Sequence, residues 1–152
     1  MAIKPQFTEQ ELKKELMVET NRIEQTIINR FAYIGEKAVS YARSLTPSEG
    51  SFTNRTGILR SSIGFAIFNK GTLVRISSFS SVKNGSNGAA MGKTFVKSLS
   101  GLANKGIVLA VVAGADYAFY VESIYNKDVI SGSELVTKKE LVKFSKFIKS
   151  LA

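Results

Sequence analysis

The strongest constraint on the fold is a helical periodicity that begins at Thr8 and cannot pass Pro47. Thr8-Glu9-Gln10-Glu11 has capping-box spacing: the threonine hydroxyl can accept a helix N–H while Glu11 reaches back to the cap. Leu12, Leu16, Ile23, Ile27, Phe31, Ile34, Ala38 and Tyr41 then recur at steps that keep one face apolar. The residue before a proline avoids helical torsions, so the helix must stop before Pro47. Gly35 costs roughly 1 kcal/mol against alanine inside a helix, which predicts a bend or break near it.

A second amphipathic helix closes the chain. Thr137 and Glu140 have capping-box spacing, and Leu141, Phe144, Ile148 and Leu151 form its apolar stripe. Between the helices the pattern changes. Residues 46–56 are rich in turn formers, and Gly57–Ser62 make a short link. Ile63, Phe65 and Ile67 alternate, as do Val74 and Ile76 with Arg75 opposite; Asn69-Lys70-Gly71 supplies the turn of a hairpin. Ile107–Ala113 is an uninterrupted apolar run, which suits a strand buried on both faces. The sum is one α+β domain over 1–152. Long N-terminal and C-terminal helices pack on a small, mainly antiparallel sheet. Within it, Gly and Ser are spread through residues 80–105, which predicts a long flexible loop or insertion. Phe95, Val96 and Leu99 in that segment suit a short helix that orders against a neighbour, and burial on assembly is expected for them.

Composition narrows the chemistry. The chain has neither Cys nor His. Thiol nucleophiles, disulfides, Cys or His zinc sites and a Ser-His-Asp triad are therefore excluded. A carboxylate-only magnesium or calcium site would need clustered acids, and the only aspartates are Asp116 and Asp128. No catalytic, cofactor or metal-ligating set emerges, and a non-enzymatic role is expected. No apolar run approaches the ~18–20 residues that span a bilayer. Met1–Gln6 lead into polar sequence without an apolar signal region, so neither export nor a membrane partner is expected.

The net charge of +9 is unevenly placed. Residues 46–105 hold eight Lys/Arg against Glu49 alone, an excess of seven, while the flanking regions are nearly balanced. Such an excess can face nucleic acid or an acidic protein, or it can be a solvated surface. No zinc finger or paired-aromatic RNA-recognition strand accompanies it, which leaves only nonspecific contact with a phosphate backbone. Gly88-Ala89-Ala90-Met91-Gly92-Lys93-Thr94 has three residues between its glycines where a phosphate-binding loop needs four, and Asn87 stands where the first glycine belongs. Glu122, beside Tyr117, Phe119 and Tyr120, lacks the second carboxylate that glycoside hydrolysis requires.

Two blocks carry a family resemblance. Tyr41-Ala42-Arg43-Ser44-Leu45-Thr46-Pro47 is followed by a Gly/Ser loop and then by Asn54-Arg55-Thr56-Gly57-Ile58-Leu59-Arg60-Ser61-Ser62-Ile63. Downstream comes Val112-Ala113-Gly114-Ala115-Asp116-Tyr117-Ala118-Phe119-Tyr120-Val121-Glu122. Their order and spacing resemble the phage tail-component family, whose members act in the neck, in head–tail joining or in tail completion. The resemblance implies a virion structural protein, assembled in the host cytoplasm into a homo-oligomeric ring. It implies contact with adjacent connector or tail-tube proteins, and allows nonspecific contact with packaged DNA. Arg55, Arg60, Lys83, Lys93, Phe95, Lys97, Tyr117, Tyr120 and Glu122 are the expected interface residues. Arg55 and Arg60 suit bidentate contacts to carboxylates within or between subunits.

Overall fold

A computed structural model describes residues 7–101 and 104–151; Met1–Gln6, Leu102, Ala103, Ala152 and the side chain of Leu151 lie outside the described part. Helix α1 runs from Glu9 to Ser44. Its first turn carries the expected reciprocal cap: Glu11 N–H donates to the Thr8 hydroxyl and Thr8 N–H donates to the Glu11 carboxylate at 2.7 Å. The helix does not break at Gly35. A Cβ there would lie 2.6 Å from the Phe65 ring, so the glycine lets α1 approach the sheet closely.

Helix α2 (Ile58–Ser61) leads into strand β1 (Ile63–Asn69), which turns into β2 (Thr72–Ile76). The turn uses Lys70 at φ 50° and Gly71 at φ 83°, a two-residue pair of left-handed torsions suited to the twist of a hairpin, while Asn69 stays in the strand. Strand β3 (Ile107–Ala113) pairs antiparallel with β1, so the sheet order is β2-β1-β3. This corrects the expectation for Ile107–Ala113. The strand enclosed on both faces is β1, buried from Ile63 to Phe68, whereas β3 lies at an edge and is half-buried along most of its length. Apolar composition cannot tell a central strand from an apolar edge.

The two faces of β1 build two cores. Ile63, Phe65 and Ile67 meet Ile28, Ala32, Val39 and Ala42 of α1, together with Phe52, Leu59 and Val129. Ala66 and Phe68 face the other way, onto Phe79, Ala89, Val96 and Val112. The second core depends on helix α3 (Ser86–Ser98), which falls within the segment expected to be a long loop. That expectation is corrected. Gly88 and Gly92 are small for a packing reason: a Cβ at Gly88 would fall 1.9 Å from the Ile58 carbonyl, and one at Gly92 would meet the Phe79 ring at 2.3 Å. Val96 is fully buried and Leu99 packs beside it within the subunit, so neither awaits a partner; Phe95 alone of the three is exposed.

Short helix α4 (Ala118–Ser123) follows β3, and α5 (Ser131–Leu151) packs along α1. Helix α5 starts six residues before the expected Thr137 cap. Its starting cap comes from Glu122 and Asp128, residues that precede the helix and are not in capping-box spacing. Thr137 lies inside the helix and donates to the Ser133 carbonyl at 2.9 Å. Glu140 is buried and joins the two long helices. Its carboxylate lies 3.2 Å from Lys37, 3.0 Å from Lys143 and 3.6 Å from Arg30.

Candidate assembly surfaces

The two blocks behind the family resemblance meet in space. Ser62 ends α2, and its carbonyl accepts from Gly114 N–H at 3.1 Å. Its hydroxyl accepts from Ala115 N–H at 3.1 Å and donates to the Leu59 carbonyl at 2.8 Å. The neighbouring Ser61 hydroxyl accepts from Val82 N–H at 2.8 Å. Both serines are fully buried, so each hydrogen bond satisfies groups that water cannot reach. Gly57 opens the junction at φ 84°, and a Cβ there would fall 1.9 Å from the Val82 carbonyl. Only glycine meets both demands.

Several expected interface residues make contacts within this framework. Arg60 donates to the Leu45 carbonyl at 2.8 Å, at the C-terminal end of α1, and its guanidinium lies 5.3 Å from the centre of the Phe52 ring. Among the described residues it meets no carboxylate. Lys83 donates to the Asn54 carbonyl at 2.6 Å and ties two loops together. Glu122 accepts at one oxygen from the amides of Val129 (3.4 Å), Ile130 (3.1 Å) and Ser131 (2.8 Å), and from the Ser131 hydroxyl at 2.6 Å. Burial pushes this carboxyl up, but the hydrogen bonds from Ser131, Ile130 and Val129 outweigh it and hold it below the usual glutamate value. Its role within the subunit is to cap α5. The signal that would have found it is three consecutive backbone N–H groups leading into α5 in search of an acceptor, and that becomes visible only once the chain is folded.

Other expected residues do face outward. Arg55 is exposed and makes no side-chain hydrogen bond or ion pair among the described residues. Lys93, Phe95 and Lys97 lie on the outer side of α3, opposite buried Gly92 and Val96. The densest apolar exposure surrounds α4. Tyr117, Phe119, Tyr120, Ile124 and Tyr125 are all exposed, Phe119 at 74%, and Phe119 meets Tyr120 edge-on with ring centres 6.3 Å apart. Aromatic side chains gathered on an exposed turn carry large apolar area at little entropic cost, which suits them to contact.

A second exposed apolar region was missed in sequence. Residues 9–23 of α1 are exposed throughout, including Leu12, Leu16, Met17, Val18 and Ile23. Near the start of the buried part of α1, a cavity of about 380 Å³ opens between α1 and α5, lined mainly by Ile23, Ile27, Phe144, Phe147 and Ile148.

The phosphate-loop-like sequence Gly88–Thr94 lies inside α3, where the amides from Ala89 onward are committed to the helix rather than free to cradle an anion. Among the described residues, no group of three or more acids is placed to hold a metal ion, and no helix is long and apolar enough to cross a membrane. No protein-family model, curated protein or solved structure matches this chain.

Proposed function

We propose that the chain is a structural subunit of a tailed-phage neck or connector. It would join head to tail, or complete the tail, by forming a ring and contacting adjacent connector or tail-tube proteins. The observation that carries this reading is the division of labour within the two resemblance blocks. Their inward residues, Gly57, Leu59, Ser61, Ser62 and Ala115, build one locked junction. The outward residues of the second block, Tyr117, Phe119 and Tyr120, form an exposed aromatic turn mounted on it. A rigid base presenting aromatic anchors suits a subunit whose work is done by contact.

Sedimentation velocity across a concentration series, in low and high salt, tests this. A closed oligomer is expected, and replacing Phe119 and Tyr120 with Ala should weaken assembly by more than about tenfold while the subunit stays folded. Labelled subunits should then appear at the neck or tail of virions in micrographs. A chain that stays monomeric and binds duplex DNA at physiological salt would overturn the reading in favour of a nonspecific nucleic-acid-binding protein using the basic residues of 46–105.

A further inference from the structure

The sheet has two outer edges, and they are built differently. Strand β2 is short, carries Arg75 and loses register opposite Ile67 and Phe68. Charge, shortness and a bulge are devices that restrict what an edge will pair with. Strand β3 has none of them. It runs seven residues, Ile107 to Ala113, without a charge or a proline, and pairs with β1 in unbroken register.

The ladder shows which backbone groups face outward. Gly114 N–H donates to the Ser62 carbonyl and Lys70 N–H to the Gly106 carbonyl, at 3.1 and 2.8 Å. Hydrogen-bonded pairs in an antiparallel ladder alternate, so Val108, Ala110 and Val112 bond to β1. Ile107, Leu109, Val111 and Ala113 therefore turn their N–H and C=O groups away from the sheet. No hydrogen bond to any of these groups occurs among the described residues. Beside this edge lies a cavity of about 330 Å³, between Val111 and the first turns of α5, walled by Ile130, Ser133, Glu134 and Thr137. An open strand flanked by a helix is a geometry that accepts an added strand, with backbone bonds from the edge and a side-chain pocket from the helix.

We propose that the outer edge of β3 takes strand β2 of a second copy of this chain, in parallel, so that the sheet continues from subunit to subunit. This rests on the ring reading above and deepens it. Strand β2 is the sheet's other open edge, and it exposes Val74 and Ile76. Its one charged residue, Arg75, lies on the α1 side of the sheet, where it donates to Asn29 at 3.1 Å. Glu134 stands on that same side, in the wall of the cavity beside Val111. Joining unlike edges while keeping the faces in common preserves strand direction, which makes the new pair parallel. It also brings Arg75 of the incoming strand toward Glu134, and it repeats head to tail as a ring requires.

Amide exchange, read residue by residue in the dilute subunit and in the assembled form, tests the proposal alongside sedimentation. Leu109 and Val111 amides should exchange freely in the subunit and slow by at least about tenfold on assembly, while Ala110 and Val112 are protected in both states. Arg75→Glu should dissociate the assembly without unfolding the subunit, and the charge swap Arg75→Glu with Glu134→Lys should restore it. An assembly in which Leu109 and Val111 amides still exchange freely would overturn the edge pairing and leave the ring standing. A chain that is monomeric at every concentration would overturn both.

Discussion

The two ends of α1 share one helix and one apolar stripe, yet they live in different surroundings. From Ile28 to Ala42 the helix is largely covered: Ile34, Ala38 and Ala42 are fully buried, and Gly35 lets the helix sit on the Phe65 ring. From Glu9 to Ile23 every residue is exposed, Leu16 at 59%. At 1.5 Å per residue the 36-residue helix is about 54 Å long, far longer than the seven-residue strands it crosses. The contrast teaches that periodicity specifies an apolar face, while chain geometry decides whether the same subunit can cover it.

The largest effect should separate the two halves directly. Ile34→Ala removes a fully buried side chain and should destabilise the subunit by ~2–5 kcal/mol, as should Leu59→Ala at the junction. Leu16→Ala should change the melting temperature by almost nothing. Equal losses at Ile34 and Leu16 in thermal melts would erase the distinction between the halves.

The next effect concerns what holds α5 over the inner half. Glu122→Ala strands the amides of Val129, Ile130 and Ser131 and should cost ~1–3 kcal/mol. Because the folded carboxyl titrates below its unfolded value of about 4.3, its stabilisation is fully present above that pH. It is lost as pH falls through the lower folded value. Glu140, held down by hydrogen bonds from Lys143 and Lys37, adds to the same acid limb. Urea melts between neutral and acid pH should therefore show wild type losing stability on acidification more steeply than Glu122→Gln. Parallel curves would remove Glu122 as the cap.

Helix α3 repeats the inner-against-outer contrast across its own width, with Val96 inward and Lys93, Phe95 and Lys97 outward. Lys93→Glu with Lys97→Glu should shift subunit stability by no more than about 0.5 kcal/mol per site. Incorporation into virions should nevertheless fail if these charges meet an acidic neighbour or DNA. Steep salt dependence of the wild-type contact would favour phosphate, and tolerance of salt would favour protein. Normal infectivity of the double variant would mark this face as only a solvated surface.

Much of the fold was legible because its signals are local. The Thr8–Glu11 cap, the stop before Pro47, the hairpin and the α+β class all follow from residues within a few positions of one another. What was not legible depends on residues far apart. Helix α3 hides behind glycines whose smallness serves contacts with Ile58 and Phe79, so composition alone favours a loop. The start of α5 depends on Glu122, outside any capping-box spacing. Placing β3 at an edge requires knowing that β1 pairs on both sides. At the candidate surfaces, the exposure of Tyr117 and Tyr120 and the turning of Arg60 to a helix end are announced by no local motif.

The smallest effect on the subunit should come from the outer half of α1, and it sharpens the comparison most. A helical segment exposed throughout depends mainly on its own propensity and local pairs, and isolated helices of this length are marginal in water. Its ion pairs, Lys13 with Glu9 at 2.6 Å and Arg22 with Glu19 at 3.6 Å, are exposed and contribute ~0.3–0.5 kcal/mol each at most. Residues 9–23 should therefore exchange their amides much faster than residues 28–44 in the dilute subunit. Replacing Leu12, Leu16 and Met17, all exposed, together with Ala should leave the global melt within about 0.5 kcal/mol per site, since alanine is the better helix former. Assembly is where the change should register, because those three side chains belong to the exposed apolar area the arm offers a neighbour. Rapid exchange in the subunit, slow exchange in the assembly and weakened assembly of the triple variant would together make the arm an interface element. Equal protection of both halves in the dilute subunit would mean that the outer half is stable uncovered, and its exposed leucines would then need no neighbour at all.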